Sequence, residues 1–197
     1  MPAAARAPLA VHCGRMDAPD EELMLAYGRG DVRAFEALYA RHRGPLYRLV
    51  LRSVRTAGEA EELAQEIWMR VIGARASYAP KAKFTTWLFS VAHNRLVDHW
   101  RARGLSLVSL DDPERDAPEP AAGPGAEPER QLEAAEAARR LAGAIAALPL
   151  AQREAFLLHH EAGLTAVEIA RATGSDEEAA KSRLRYAVRK VREALDD

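Results

Sequence analysis

The segment GLTAVEIARATG, residues 163–174, followed by SDEEAAKSRLRYAVRKVREALDD, residues 175–197, decides the fold. Thr165 stands three residues before Glu168, which is the spacing of a capping box at the start of a helix. Gly174 predicts the end of that helix, because glycine readily adopts the left-handed conformation of a helix C-terminus. The first of the two segments therefore predicts one short helix with a defined start and end.

A second helix is predicted directly after the glycine. Ser175 and Glu178 form another capping box, and the helical pattern runs to about Leu195. Two helices joined by a tight glycine turn are typical of a helix-turn-helix. One face of the second helix is suited to burial: Leu184, Ala187, Val188, Val191 and Leu195. The other is polar and basic: Lys181, Ser182, Arg185, Arg189 and Arg192. Such a basic face can reach phosphates and base edges in a major groove, although a merely solvated charged face is the alternative.

The composition of the 197 residues excludes several classes of protein. A hydrophobic content of 48% is enough for a packed core. The net charge of −1 gives no overall attraction to nucleic acid, so any such binding depends on local patches. No apolar run approaches the roughly 18 residues of a membrane span, and we expect a cytoplasmic protein. Cys13 is the only cysteine, which excludes an internal disulfide, and we expect neither a metal nor a cofactor.

The pattern divides the chain into four segments. Residues 1–16 are small and Ala-rich and predict a disordered tail. Residues 17–103 show helical periodicity and predict an all-α bundle. Residues 104–131 are rich in proline, glycine and acidic side chains, which predicts an extended acidic linker. Residues 132–197 form a second, smaller helical domain. We therefore expect an all-α protein of two small domains joined by a flexible linker.

The first domain contains an acidic amphipathic helix. Thr56 and Glu59 form its capping box, and the helix runs to about Ile72. Its apolar side carries Leu63, Ile67 and Val71. Its outer side carries Glu61, Glu62, Gln65, Glu66, Met69 and Arg70. The outer side is either a solvated face or a docking surface for a protein.

A polar loop and an aromatic helix follow. Residues 77–83 contain Tyr78, Pro80 and two lysines, and residues 84–103 mix aromatic side chains with arginines. This combination suits a single-stranded nucleic acid, whose bases stack on rings while cations follow its backbone. The helix must also contribute to the core, and we expect Trp87, Leu88 and Val91 to do so.

Four stretches resemble one family in the family's own order. AEELAQEIWMRV (60–71) resembles region 2.2 of the sigma-70 family, FTTWL (84–88) and AHNRLVD (92–98) resemble regions 2.3 and 2.4, and residues 148–195 resemble region 4. The absence of a recognisable region 1.1 or folded region 3 favours the extracytoplasmic-function (ECF) group. The resemblance implies an alternative sigma factor that directs promoter recognition, DNA melting and transcription initiation.

The resemblance also implies partners and sites. Core RNA polymerase, through its β′ clamp and β subunits, would bind Glu62, Leu63, Gln65, Glu66, Met69 and Arg70. The −10 element, as a single strand with one base flipped out, would meet Tyr78, Lys81, Lys83, Phe84, Asn94, Arg95, Asp98 and Arg101. The −35 duplex would meet Lys181, Ser182, Arg183, Arg185, Tyr186 and Arg189. An anti-sigma factor, often membrane-bound in this group, would hold the protein inactive.

Two rival readings remain open. A stand-alone helix-turn-helix regulator would explain the second domain but leaves the first without a purpose. An enzyme would have to use His93, Asp98 and His99, or the run His159-His160-Glu161. His93 and His99 are six residues apart and do not share a helix face. No phosphate loop or nucleophile motif is present in the sequence, and we expect no catalysis.

Overall fold

A computed structural model describes residues 17–105 and 128–196, without the side chains of residues 128–134. The tail predicted at 1–16 and most of the predicted linker lie outside the described residues. Within the described ranges the chain is helical and contains no strand, which confirms the all-α prediction. The helices are α1 (Asp20–Gly28), α2 (Val32–Leu51), α3 (Ala57–Gly73), a 3₁₀ helix (Ala74–Ala76), α4 (Phe84–Ala102), α5 (Pro128–Ala146), α6 (Leu150–Ala162), α7 (Ala166–Thr173) and α8 (Glu177–Asp196).

Helices α1 to α4 form the first domain around a core of leucines and aromatic rings. The predicted cap of α3 is confirmed, since the Thr56 side chain accepts a hydrogen bond from the backbone N–H of Glu59. Asp20 ties α1 to α2, because its carboxylate accepts from Arg41 at 2.5 Å and lies 2.6 Å from the His42 ring. Burial alone would raise the pKa of Asp20, but the hydrogen bonds from His42 and Arg41 outweigh it and lower that pKa.

Helices α5 to α8 form the second domain, and its helix-turn-helix is confirmed. Thr165 and Glu168 make both reciprocal bonds of the capping box at the start of α7. Gly174 ends α7 with φ 64°, a left-handed conformation that favours glycine. Helix α5 begins at Pro128, whereas the sequence pattern predicts that the linker continues to residue 131. Proline is well suited to the first helical position, because its missing N–H has no partner there in any case.

Two sequence predictions for α8 are wrong. Its start is capped by Asp176, whose Oδ1 accepts from the N–H of Ala179 at 2.7 Å. The Ser175 hydroxyl, predicted to be the cap, lies instead 3.0 Å from the hydroxyl of Thr173. Leu195, predicted to be buried, is exposed, because residues 192–196 lie beyond the part of α8 that neighbouring helices cover.

A buried arginine joins α5 to α6. Arg153 is 2% exposed, and its guanidinium donates to the carbonyl oxygens of Ile145 at 3.0 Å and Leu148 at 2.8 Å, and to that of Ala146. These carbonyls belong to the last turn of α5 and the connection after it, where backbone acceptors have no helical partner. The arginine therefore fixes the angle between the two helices on which α8 packs.

The two domains pack against each other. Helix α7 lies against α4, and α6 lies against α2 and α4. Buried apolar residues of both domains form one continuous cluster. The relative placement of the loop 77–83 and the helix-turn-helix is therefore part of the fold described here.

Candidate nucleic-acid interface

The loop 77–83 and the start of α4 are positioned by α1. No side chain of the loop caps α4, whose N-cap residue is Lys83. Instead, Glu21 of α1 accepts a hydrogen bond from the backbone N–H of Phe84 at 2.5 Å. A carboxylate at this end is also favoured by the helix dipole. Sequence reasoning missed this contact, because Glu21 and Phe84 are far apart in the chain.

A cavity of about 340 Å³ opens beside the loop. Its lining includes Tyr78, Lys81, Thr86, Trp87 and, from the second domain, Arg171. Within the described part of the chain, the hydroxyl groups of Tyr78 and Thr86 are buried without a hydrogen-bond partner. Burial, followed by the charges of Glu21 and Asp20, raises the pKa of Tyr78 to about 12, so its phenol stays protonated and can donate. Aromatic walls with unpaired hydroxyls are what an extruded base requires.

Phe84 does not belong to the exposed part of this site, although it was predicted to lie near the −10 strand. Its side chain is fully buried, with ring centroids 5.4 Å from His42 and 5.7 Å from Trp87. The first position of α4 points into the bundle, so Phe84 supports the cavity wall from behind.

The other residues predicted for the −10 element lie further along α4. Asn94, Asp98 and Arg101 are exposed and Arg95 is half-buried. At a rise of about 1.5 Å per residue, Asn94 lies roughly 16 Å along the helix from Lys83. The predicted set is therefore divided between the loop and the second half of α4.

The outer face of α3 lies beside this second half of α4. Five of the six residues predicted to bind polymerase are exposed there: Glu62, Gln65, Glu66, Met69 and Arg70. Leu63 is the exception, because it is 2% exposed and belongs to the core, so it can only support the docking face from within. Met69 is 65% exposed, which is a large apolar exposure on a charged helix.

Ion pairs connect the two predicted surfaces. Glu66 of α3 accepts a hydrogen bond from Arg95 of α4, and Arg70 of α3 lies 3.6 Å from Asp98 of α4. The hydrogen bond from Arg95 lowers the pKa of Glu66. The outer face of α3 and the second half of α4 therefore form one continuous surface.

The basic face of α8 is arranged around a tyrosine. The guanidinium carbons of Arg185 and Arg189 lie 5.3 Å and 5.0 Å from the Tyr186 ring centroid. Lys181 pairs with Glu177 at 2.7 Å and with Glu178 at 3.3 Å. Ser182 and Arg183 are half-buried. The described ion pairs of this face are all within α8.

Three cations of the first domain pair with carboxylates of the second. Lys83 of the loop lies 2.9 Å from Glu168 of α7. Arg48 and Arg52 of α2 both pair with Glu161 of α6. Sequence reasoning missed these pairs, because nothing local in the sequence signals them.

The fold and these surfaces define a two-domain helical protein with a helix-turn-helix and a second candidate nucleic-acid site. No helix within residues 17–105 and 128–196 is long and apolar enough to cross a bilayer. Two family models match: Sigma-70 region 2 over residues 38–105 and Sigma-70, region 4 over residues 138–191. The chain belongs to the sigma-70 family of RNA polymerase sigma factors, within its ECF group.

Curated relatives agree with this placement. The chain is 31% identical over 174 residues to a protein named ECF RNA polymerase sigma factor SigK from Mycobacterium sp. strain KMS, with 84% of each chain covered. It is 30% identical over 193 residues to SigK of Mycobacterium tuberculosis strain ATCC 25177 / H37Ra, with 92% of this chain and 96% of that one covered. The chain is therefore an alternative sigma factor, a transcription initiation factor, and the stand-alone regulator is not favoured.

Solved structures show the same fold. CnrH, in complex with the cytosolic domain of CnrY, has a TM-score of 0.65 at 23% identity, covering 90% of this chain and 97% of that one. RpoE of Bartonella quintana, in complex with the anti-sigma factor NepR, has a TM-score of 0.66 at 21% identity, covering 82% of this chain and 96% of that one.

Proposed function

We propose that the chain binds core RNA polymerase through the outer face of α3, the −10 strand through the loop 77–83 and α4, and the −35 duplex through α8. The observation that carries this proposal is the continuous surface of α3 and α4. A stand-alone regulator has no use for an exposed Met69 on α3, nor for a cavity in the same domain that holds unpaired hydroxyl groups. A protein that must hold polymerase and an opened strand at once needs both.

The polymerase would dock on α3 and the adjoining groove. This groove lies between α2 and α3, has a volume of about 370 Å³, and is lined by Tyr39, Gln65 and Trp68 among others. Aromatic side chains and methionine are enriched at protein interfaces. Glu62 and Glu66, exposed on the outer face of α3, would supply charge complementarity.

The −10 strand would place one base in the cavity beside Tyr78, with Lys81 and Lys83 following its backbone. Asn94, Arg95, Asp98 and Arg101 would meet the strand on the second half of α4. Extruding a base costs a few kcal/mol, which stacking on rings and hydrogen bonds to the cavity hydroxyls would offset.

The −35 duplex would receive α8 in its major groove. Arg185 and Arg189, held beside Tyr186, can reach phosphates or guanine edges, and Lys181 lies nearest the helix start. The chain would act by binding alone, with no reaction of its own, in the cytoplasm where polymerase works. The complexes of CnrH and RpoE support an anti-sigma factor as a further partner.

Run-off transcription tests the proposal. Purified core polymerase is given a promoter library with and without the chain, and the new 5′ ends are sequenced. We expect start sites that depend on the chain and share upstream −35 and −10 motifs. No new start sites, together with intact binding to duplex DNA, would leave only the helix-turn-helix activity.

A substitution on α3 separates polymerase binding from DNA binding. Glu66→Lys should reduce co-purification with core polymerase, because it reverses a charge at the proposed interface. Glu66→Gln is the matched control for the lost ion pair with Arg95, since it removes that pair without adding a repelling charge. Equal polymerase binding by wild type and Glu66→Lys would remove this face from the proposal.

A further inference from the structure

A carboxylate stands among the polar and basic side chains on the outside of α8. Glu178 precedes Ser182 by four residues, Arg185 by seven and Arg189 by eleven. These spacings are close to whole turns of an α-helix, so the four side chains share one face, which we call the outer stripe. The outer stripe lies opposite the buried face of the helix, which carries Ala180, Ala187 and Val191.

Glu178 is placed to meet a partner outside the chain. Its side chain is 86% exposed, compared with 48% for the neighbouring Glu177. It is the second residue of α8, and the first residues of a recognition helix are those that contact base edges. Glu178 therefore occupies the end of the outer stripe that a major groove would hold closest to the base pairs.

A carboxylate in a major groove lies between two rows of phosphates, which repel it. The helix dipole favours negative charge in the first turn, but Asp176, which caps the helix, and Glu177 already supply it there. Glu178 thus carries an electrostatic penalty in the complex with DNA that its contribution to the helix does not explain. A specific contact with a base would offset that penalty.

Lys181 reduces the repulsion and leaves Glu178 able to bind. Its Nζ lies 2.7 Å from Oε1 of Glu177 and 3.3 Å from Oε1 of Glu178. The hydrogen bonds with Glu177 and then Glu178 raise the pKa of Lys181, so its ammonium group keeps its charge. Within residues 17–105 and 128–196, Oε2 of Glu178 accepts no hydrogen bond. That oxygen is available to a donor on the DNA.

Few groups in a major groove can donate to a carboxylate. Cytosine presents its N4 amino group, whereas adenine presents its N6 amino group beside the acceptor N7. An ionised carboxylate only accepts, so N7 of adenine would repel it. The guanine paired with cytosine presents two acceptors, O6 and N7, which suit a lysine. A carboxylate beside an ammonium group therefore matches the donor and acceptors of one C·G base pair.

We propose that Glu178, assisted by Lys181, selects a C·G base pair in the −35 duplex. The proposal rests on the proposed binding of that duplex by α8. Glu178 accepts a hydrogen bond from N4 of the cytosine, and Lys181 donates to the guanine of the same pair. Arg185 and Arg189 follow the outer stripe further along the groove.

The test measures base preference at each −35 position. A promoter identified by run-off transcription is prepared with its −35 element randomised. Holoenzyme formed from core polymerase and the full chain transcribes this library, and sequencing gives the bases that active templates share. For wild type we expect one position at which C·G is favoured by about fivefold or more, which is the lower end of the usual effect of a wrong base pair.

Glu178→Gln separates the charge of the side chain from its size. Glutamine has nearly the same shape, but its amide binds adenine through both N6 and N7. We expect the preference at that one position to change from C·G to A·T by about fivefold or more, while the other −35 positions keep their preferences. A side chain that merely stabilises the helix would not change base preference at one position.

Glu177→Gln is the matched control. It also removes one carboxylate partner of Lys181 from the first turn of α8. Glu177 lies about 100° around the helix from Glu178 and so falls outside the outer stripe. The control should leave the preference for C·G in place.

The outcomes separate this inference from the function on which it rests. If wild type selects −35 bases and Glu178→Gln selects the same ones, the inference alone is wrong. It is also overturned if Glu177→Gln changes the preference as Glu178→Gln does, because the effect would then depend on charge and not on position. If wild type has no −35 preference, or if no promoter depends on the chain, α8 is not shown to read a duplex, and the proposed −35 contact fails together with the inference.

Discussion

The cations of the loop 77–83 and those of α8 differ in where their partners lie. Lys83 pairs with a carboxylate of the other domain, and the cavity beside it is bordered by Arg171 of that domain. Lys181 and Arg189 pair only with carboxylates of their own helix, at positions three or four residues away. Surface pairs of this kind are screened by solvent and give way readily to phosphate. The side chain of Lys83 is 71% exposed and that of Lys181 is 49% exposed, so a phosphate can reach both, but only the pair of Lys83 joins the two domains.

The largest effect that separates the two surfaces is expected on α8. Replacing Arg183 and Arg185 with alanine should weaken binding to a −35 duplex by about 1–3 kcal/mol for each arginine that reads a base. Single-strand binding and co-purification with core polymerase should stay unchanged. Anisotropy with duplex and single-stranded probes measures both affinities. Loss of polymerase binding along with DNA binding would contradict the assignment of polymerase binding to α3 and duplex binding to α8.

A smaller effect is expected on the support of the loop 77–83. A Cβ added at Gly28 would lie 2.7 Å from the backbone carbonyl oxygen of Arg75, which cannot move without shifting the 3₁₀ helix that precedes the loop. Gly28→Ala should therefore lower the free energy of unfolding by about 1–3 kcal/mol. It should also weaken single-strand binding more than duplex binding. Thermal unfolding and the same two probes measure these changes.

Gly143 offers the matched control. It lies inside α5 with nothing within 4 Å of its added Cβ. Gly143→Ala should raise stability by about 0.5–1 kcal/mol, because alanine is the better helix former. Equal effects of the two substitutions would mean that the contact between Gly28 and Arg75 does not support the loop.

A moderate effect is expected from salt, which should change the affinity of α8 for duplex DNA and that of the loop 77–83 for a single strand to different extents. Duplex affinity should fall with a logarithmic slope of about −0.9 per phosphate neutralised. For the single strand, salt weakens phosphate contacts but also weakens the pair between Lys83 and Glu168, so the two effects oppose each other. We expect a shallower slope for wild type than for Glu168→Gln, which lacks this pair. Titrations with sodium chloride measure both slopes, and identical slopes would mean that Glu168 does not compete with the strand for Lys83.

The smallest effect is expected from pH. The folded-state pKa of Glu168 is about 2, below its ordinary value of 4.5. Its contribution to stability is therefore complete above about pH 4.5 and is lost as the pH falls towards 2. The difference in unfolding free energy between wild type and Glu168→Gln should narrow over this window. Thermal unfolding from pH 6 to about pH 3 measures it, and a difference that grows on acidification would show the wrong sign.

The sequence predicts a feature well when the residues that determine it are close together in the chain. The caps at Thr56 and Thr165 and the left-handed Gly174 depend on a few neighbouring residues, and the structure confirms all three. The cap of α8 was misplaced by one residue, because Ser175 and Asp176 are both good caps and tertiary packing selects between them.

The remaining differences depend on contacts between distant residues. Phe84 is part of the family resemblance, but only the packing of the bundle shows that it lies in the core. The pair of Glu161 with Arg48 joins residues 113 positions apart, and no periodicity or motif announces such a pair. Which residues form each surface could therefore be predicted in outline, whereas the contacts of the loop 77–83 with the second domain could not.

The hydrogen bonds of Arg153 are made to residues nearby in the chain, and this bears on the order in which the second domain folds. Its hydrogen bonds return only five to eight residues along the chain. Contacts between near neighbours close small loops and form quickly. The hairpin of α5 and α6 can therefore assemble during synthesis, before α8 has been translated. Because α8 packs on both of these helices, it would then fold onto a template that is already in place.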